Sequence, residues 1–198
     1  EIADGSQRRA AIVSWAKARL GAGEADASVI AAAAKPASDA ALLDLSESLT
    51  LRRKFEAAAL AALNAQAAPA AEIDEALGLI VEDMIDADAE PLDIFAIDGI
   101  ADAALRDDEL VRLVTFNLDR RRLDGARRHA AQIVDPRMAS YAWTRIGAWA
   151  LDEKYVQEAR SAADLALAQA KGAALDATQR RDLAKLLARL NDPDGALA

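Results

Sequence analysis

The chain has 198 residues, of which 53% are apolar but only 4% aromatic, carries a net charge of -9 and contains no cysteine. Disulfides, thiolate metal sites and cysteine nucleophiles are thereby excluded, and the acidic balance argues against nucleic acid as the main partner, because phosphate binding depends on cationic side chains. The charge is uneven: 9 basic and 22 acidic residues precede Val111, whereas 15 basic and 11 acidic residues follow from there.

Alanine, the strongest helix former, supplies about a quarter of the chain. Apolar residues recur at three- and four-residue intervals, and no segment alternates with period two, so helices are expected throughout and strands nowhere. Charged residues interrupt every Ala-rich stretch before it reaches bilayer-spanning length, so no membrane insertion is expected. The Ala- and Arg-rich, Cys-free composition suggests a soluble protein of a bacterial cytoplasm or periplasm.

In chain order, the helical pattern breaks at Gly21 to Gly23, Pro36, Pro69, Asp86 to Pro91, Arg106 to Asp108, Asp135-Pro136, Gly172 and Asn191 to Gly195. Gly21-Ala22-Gly23 lacks the Gly-Lys-Ser/Thr of a phosphate loop and any preceding strand, so it reads as a helix terminator. Asp192-Pro193 has the residue types that start a helix.

Self-similarity orders these segments. The clearest unit places Ser140, Tyr141, Trp143, Ile146, Gly147 and Ala150 on a first helix, a turn at Asp152 to Tyr155, and Ala159, Ala163, Ala166 and Leu167 on a second. Gly147 leaves space for the partner helix, and the small Ala159 and Ala166 accept Trp143 and Ile146. With Ala159 as marker, equivalent positions fall at Ala25, Ala58, Leu92, Ala126 and Ala196, at spacings of 33, 34, 34, 33 and 37 residues. First-helix equivalents of Trp143, Ile146 and Gly147 are Leu42, Leu45 and Ser46, then Leu110, Leu113 and Val114, and finally Arg180, Leu183 and Ala184.

This pattern resembles the tetratricopeptide family, whose first helix carries W-x-x-L-G and whose second carries spaced alanines; Ala150 and Ala163 stand where the family prefers aromatics. The resemblance implies an all-α fold, a right-handed α-solenoid of stacked helix-turn-helix hairpins. One domain over 1–198 with about five and a half helix pairs is expected. The second helix of the last pair opens only a few residues before Ala198, so the chain is expected to continue, or another chain to cover that end.

His129 is the single histidine, which excludes a multi-His metal site, and it reads as a surface or partly packed residue on a second helix. The acidic run Glu82, Asp83, Asp86, Asp88 and Glu90 lacks the central Gly and terminal Glu of a calcium loop and reads as a solvated connection. Arg120, Arg121, Arg122, Arg127 and Arg128 form a basic cluster around a turn, with local pairing to Asp119 and Asp124 expected or, alternatively, an acidic partner docked there. Trp15, Trp143 and Trp149 are the large anchors. No cofactor, metal or enzymatic chemistry is expected.

By the resemblance, first helices line the concave face of such an array. The partner-binding positions would be Arg112, Thr115, Tyr141, Thr144, Arg145, Arg181, Lys185 and Arg189 in the cationic half, against Leu43, Glu47, Leu77, Val81 and Met84 in the acidic half. The implied function is a scaffold that grips a peptide or helix of another protein in its groove. Two alternatives stand beside it: self-association through unlike-charged ends, giving a homo-oligomer, and service as the non-catalytic arm of a larger enzyme.

Overall fold

A computed structural model describes residues 39–87, 89 and 95–191 of the chain. Among the described residues there are nine α-helices and no strand. Contacts divide the chain into two compact units, residues 1–105 and 106–198, and each is taken by itself.

In the first unit, α1 (Asp39–Leu51) turns back as α2 (Phe55–Asn64), followed by α3 (Ala70–Asp86) and the single-turn α4 (Phe95–Gly99). The turn between α1 and α2 is built on backbone bonds. Arg53 takes a left-handed conformation, φ 58°, and the Lys54 amide donates to the Leu49 carbonyl at 2.9 Å, which closes the last turn of α1 in the Schellman manner. Small residues let the two helices meet closely: the Ser46 hydroxyl donates to the Ala58 carbonyl at 2.9 Å, and Ala58 is fully buried. Leu49, Phe55, Ala62, Leu77, Ile80 and Met84 complete the core of this unit.

The second unit holds most of α5 (Ala103–Asp119), followed by α6 (Leu123–Ala130), whose Gly125 lies against Asn117; α7 (Pro136–Asp152) pairs with α8 (Val156–Ala170), and α9 (Ala177–Asn191) packs on both members of that hairpin. The turn geometry of the first unit recurs. Arg121 and Lys154 are left-handed, φ 58° and 67°, and the Arg122 and Tyr155 amides donate to the carbonyls of Asn117 and Ala150 at 2.8 and 2.7 Å. The marker alanines Ala126 and Ala159, like Ala58, have no exposed surface. Gly147 matches Ser46 in position: a methyl group there would stand 3.4 Å from the Ala159 carbonyl oxygen and 2.6 Å from Leu186 Cδ2. Trp143 and Ile146 are core residues, as the spacing predicts.

Each unit contains a buried aspartate that clasps a distant backbone. Asp74, in the first turns of α3, accepts the amides of Ala101 and Asp102 at 2.7 and 2.9 Å. Asp107, similarly placed in α5, accepts those of Val134 and Asp135, the latter at 2.7 Å. The carboxylate and both of its donors move together by 33 residues from one clasp to the next. Asp102 and Asp135 then cap the helices they precede: the Ala104 and Leu105 amides donate to Asp102, and the Met138 amide to Asp135. Asp176 and Gln179 open α9 with reciprocal bonds, a capping box.

Three expectations need correction. Arg106 to Asp108 is no break but lies within α5, because Asp107 is held by its clasp and the helix is already capped at Asp102. Leu77, Val81 and Met84 are buried. Leu77 lies three residues after the clasping Asp74, as Leu110 lies three after Asp107, so both belong to the core stripe and not to an exposed face. Arg180 and Ala184 are exposed, and α9 packs through Leu183, Leu186 and Leu190. Its cap at Asp176 stands 41 residues after Asp135, and this longer link rotates the helix relative to the simple period. The positions Trp15, Gly21 to Gly23, Ala25, Pro36, Asp88, Glu90, Leu92 and Ala196 lie outside the described residues.

Candidate functional site

The predicted cationic positions all fall in the second unit, and neighbouring acids hold most of them. Arg112 is ion-paired with Glu109 at 3.4 Å. On α7, Arg145 Nη1 donates to the Tyr141 hydroxyl at 3.2 Å, and its guanidinium carbon stands 5.8 Å from the ring centroid, so the two side chains form one half-exposed unit. On α9, Asp182 lies 3.9 Å from Arg181 and 3.8 Å from Lys185. Arg189 reaches across to Asp152 of α7 at 2.6 Å and ties the two helices together. Thr115 is half-buried and donates to the Val111 carbonyl.

Thr144 must be withdrawn from an accessible face. It is 5% exposed, and its hydroxyl donates to the Ser140 carbonyl at 2.8 Å. At four residues from Ser140 it faces the packed side of α7 together with that residue.

Two buried ionisable groups of the second unit were not singled out as such by the sequence. Glu109 is 2% exposed, and burial, with the Asp108 carboxylate beside it, raises its pKa from 4.5 to about 7. Its Oε2 has no hydrogen-bond partner among the described residues. His129, expected as a surface or partly packed residue, is 4% exposed. Burial and the adjacent Arg128 lower its pKa, so the neutral ring is favoured. The basic cluster around the α5–α6 turn is engaged beyond its immediate neighbours: Arg121 pairs with Glu153 at 3.1 Å, and the Arg120 guanidinium lies 3.7 Å over the Phe116 ring. Trp149 packs against the α7–α8–α9 core, its ring 6.2 Å from that of Tyr155.

The first unit holds a groove with a leucine floor. It runs between α1 and α3 and has a volume of about 390 Å3. Leu43, Leu51, Ala76 and Leu79 supply its apolar surface, and Leu51 and Leu79 are 77% and 52% exposed. Asp44 and Glu47 of α1 and Glu72, Glu75 and Asp83 of α3 line its sides, and no basic side chain does. Two polar residues also reach it, Ser46 and Thr50, but their hydroxyls already donate to the carbonyls of Ala58 and Ser46. The predicted acidic-side positions Leu43 and Glu47 therefore belong to this groove. Its α3 wall is formed by Glu75, Leu79 and Asp83 and not by Leu77, Val81 and Met84, which are buried in the core. The signal that would have found the wall is the shared string Asp-acid-x-Leu, at Asp74 to Leu77 and again at Asp107 to Leu110. It aligns Leu79 with Arg112.

The described residues thus define an all-helical protein in which no helix is long and apolar enough to cross a membrane. No protein-family model, curated protein or solved structure matches the chain.

Proposed function

We propose that the chain is a tetratricopeptide-like helical scaffold that binds a peptide or helical segment of another protein on the open faces of its first helices. The α1–α3 groove carries this reading. Leucines left 77% and 52% exposed lose free energy to water that a partner would recover, about 1.5–3 kcal/mol for a fully covered leucine. Contiguous apolar surface framed by polar residues is the ordinary mark of an interaction site. Further support comes from the recurring turns, the buried marker alanines and the two aspartate clasps, all of which suit hairpins built to one plan. In the second unit the corresponding partner-facing positions are Arg112, Thr115, Tyr141, Arg145, Arg181 and Lys185, with Arg189 committed to Asp152.

Site-specific photo-crosslinking in the source cell tests the proposal. A photoreactive residue at position 79 is expected to capture another protein, whereas one at Gln66, exposed in the turn after α2, is not. Equal yields from the two positions, or none from position 79, would refute it.

A second reading, self-association, is favoured by the opposite charge balance of the residues before and after Val111. Asp44 is matched by register with Arg112 and Arg145, each nine residues before a left-handed turn residue. Contacts between such faces weaken as salt screens them. Light scattering across a salt series should then show an apparent mass that falls with ionic strength, and a constant mass would dismiss this reading.

A further inference from the structure

We propose that the α1–α3 groove receives an amphipathic helix of a partner protein whose apolar anchors are flanked by lysine or arginine. This rests on the scaffold reading and adds to it the chemistry and conformation of the partner.

Charge decides the flanks. Asp44, Glu47, Glu72, Glu75 and Asp83 are all exposed, and none of them is ion-paired with a cation among the described residues. Five carboxylates around an apolar floor attract cationic side chains and repel acidic ones, which excludes nucleic acid and anionic lipid as occupants. The long stems of lysine and arginine can lie along Leu51 and Leu79 while their charged heads reach the carboxylates.

Hydrogen bonding decides the conformation. An extended peptide brings an amide and a carbonyl at every residue, and each needs a partner when water is displaced. The lining offers carboxylates, which only accept, and two hydroxyls whose protons are already committed to Ala58 and Ser46. An extended segment would therefore bury its carbonyls without donors. A helix satisfies its own backbone except at its ends. The two walls are themselves helices of 13 and 17 residues, about 20 and 25 Å long, so a partner helix of about four turns matches the groove and lays anchors at i, i+3 or i+4 and i+7 onto its leucines.

The full chain is titrated against a fluorescein-labelled peptide of about four turns with leucines at those positions and lysines on both flanks, and against the same peptide with glutamates in place of the lysines. Fluorescence anisotropy is expected to show binding of the lysine peptide alone. The pair Glu47→Lys with Glu75→Lys should weaken it at least about tenfold, equivalent to 1.4 kcal/mol. The control pair Asp124→Lys with Asp164→Lys makes the same change in net charge at exposed sites of the other unit and should change affinity less than about threefold. Leu51→Ser with Leu79→Ser, at exposed positions where folding is not at stake, should abolish binding.

Equal loss in the control pair, or undiminished binding to the serine variant, overturns the proposal by reducing the effect to general charge attraction. Binding of the glutamate peptide, lost in the serine variant, overturns the charge assignment while leaving the scaffold reading standing. No peptide binding together with no crosslink from position 79 removes both. Two other occupants are distinguished by mapping those crosslinks: adducts to a second copy of the chain, or to its own residues 6–20, which carry Arg8, Arg9, Lys17 and Arg19 and no acid, would each overturn the proposal.

Discussion

Asp107→Ala is expected to destabilise the second unit far more than the same change at the neighbouring Asp108. Asp107 is 1% exposed, and its two oxygens accept the amides of Val134 and Asp135. Hydrogen bonds to a charged group contribute about 1.5–3 kcal/mol each. The bond to Asp135, at 2.7 Å, is short and single, whereas the bond from Val134 is divided between both oxygens at 3.1 Å and the Val134 side is open to water. Removal of the carboxylate lets water recover part of the second bond, which leaves a net loss of about 2–4 kcal/mol. Asp107→Asn keeps one acceptor oxygen but sets an amide group against two amides, and should lose about half as much. Asp108 is exposed, and its replacement should stay within about 0.5 kcal/mol of the parent. Urea unfolding followed by far-ultraviolet circular dichroism, with the slope held common, reads these differences as shifts in midpoint. Equal midpoints for Asp107→Ala and Asp108→Ala would refute the clasp as a source of stability.

Glu109, with its folded pKa raised from 4.5 to about 7, binds a proton more readily in the native state than in the unfolded one. Its favourable contribution is therefore full below about pH 4.5 and is lost as pH rises through about 7, a change on the order of 3 kcal/mol at most. The difference in unfolding free energy between the parent and Glu109→Gln should slope across that window, which cancels the opposing titration of His129; a flat difference would refute it. Gly125→Ala places a methyl group 2.2 Å from Asn117 Oδ1, while Asn117 Nδ2 is bonded to the Leu113 carbonyl. The change should cost about 1–3 kcal/mol in urea unfolding, yet become neutral or stabilising by up to about 1 kcal/mol in an Asn117→Ala background, where only helix propensity remains. Lys154→Gly relieves a left-handed residue, φ 67°, and should raise stability by about 1 kcal/mol; a lowered urea midpoint would show that Lys154 makes contacts outweighing its strain.

Side-chain size and period carried most of the hairpin plan into the sequence. Ala58, Ala126 and Ala159 could be aligned because only a small residue fits where two helices cross, and Trp143 because its bulk recurs as Leu110 at the same offset. Charge was the poorer guide. Arg106 to Asp108 looks like a solvated break when neighbours alone are considered, since the donors that hold Asp107 lie 27 and 28 residues away. The same blindness hid the burial of Glu109 and His129, whose polarity suggests the surface. In α3, apolar residues on two faces leave the choice of exposed face open to hydrophobicity, and only the register set by Asp74 selects Leu79. On α7, Thr144 passed for a surface residue because a hydroxyl bonded within its own helix is invisible in composition.

The aspartate clasps have a consequence for how such a chain can change. They hold each segment through main-chain amides, which every residue other than proline possesses, and so demand nothing of the side chains that look outward. Asp44, Leu79, Arg112 and Arg145 share one register position yet present an acid, a hydrocarbon and two bases. The surface chemistry of these positions can therefore be rewritten one at a time, by point substitution, while the joints that set the frame stay as they are.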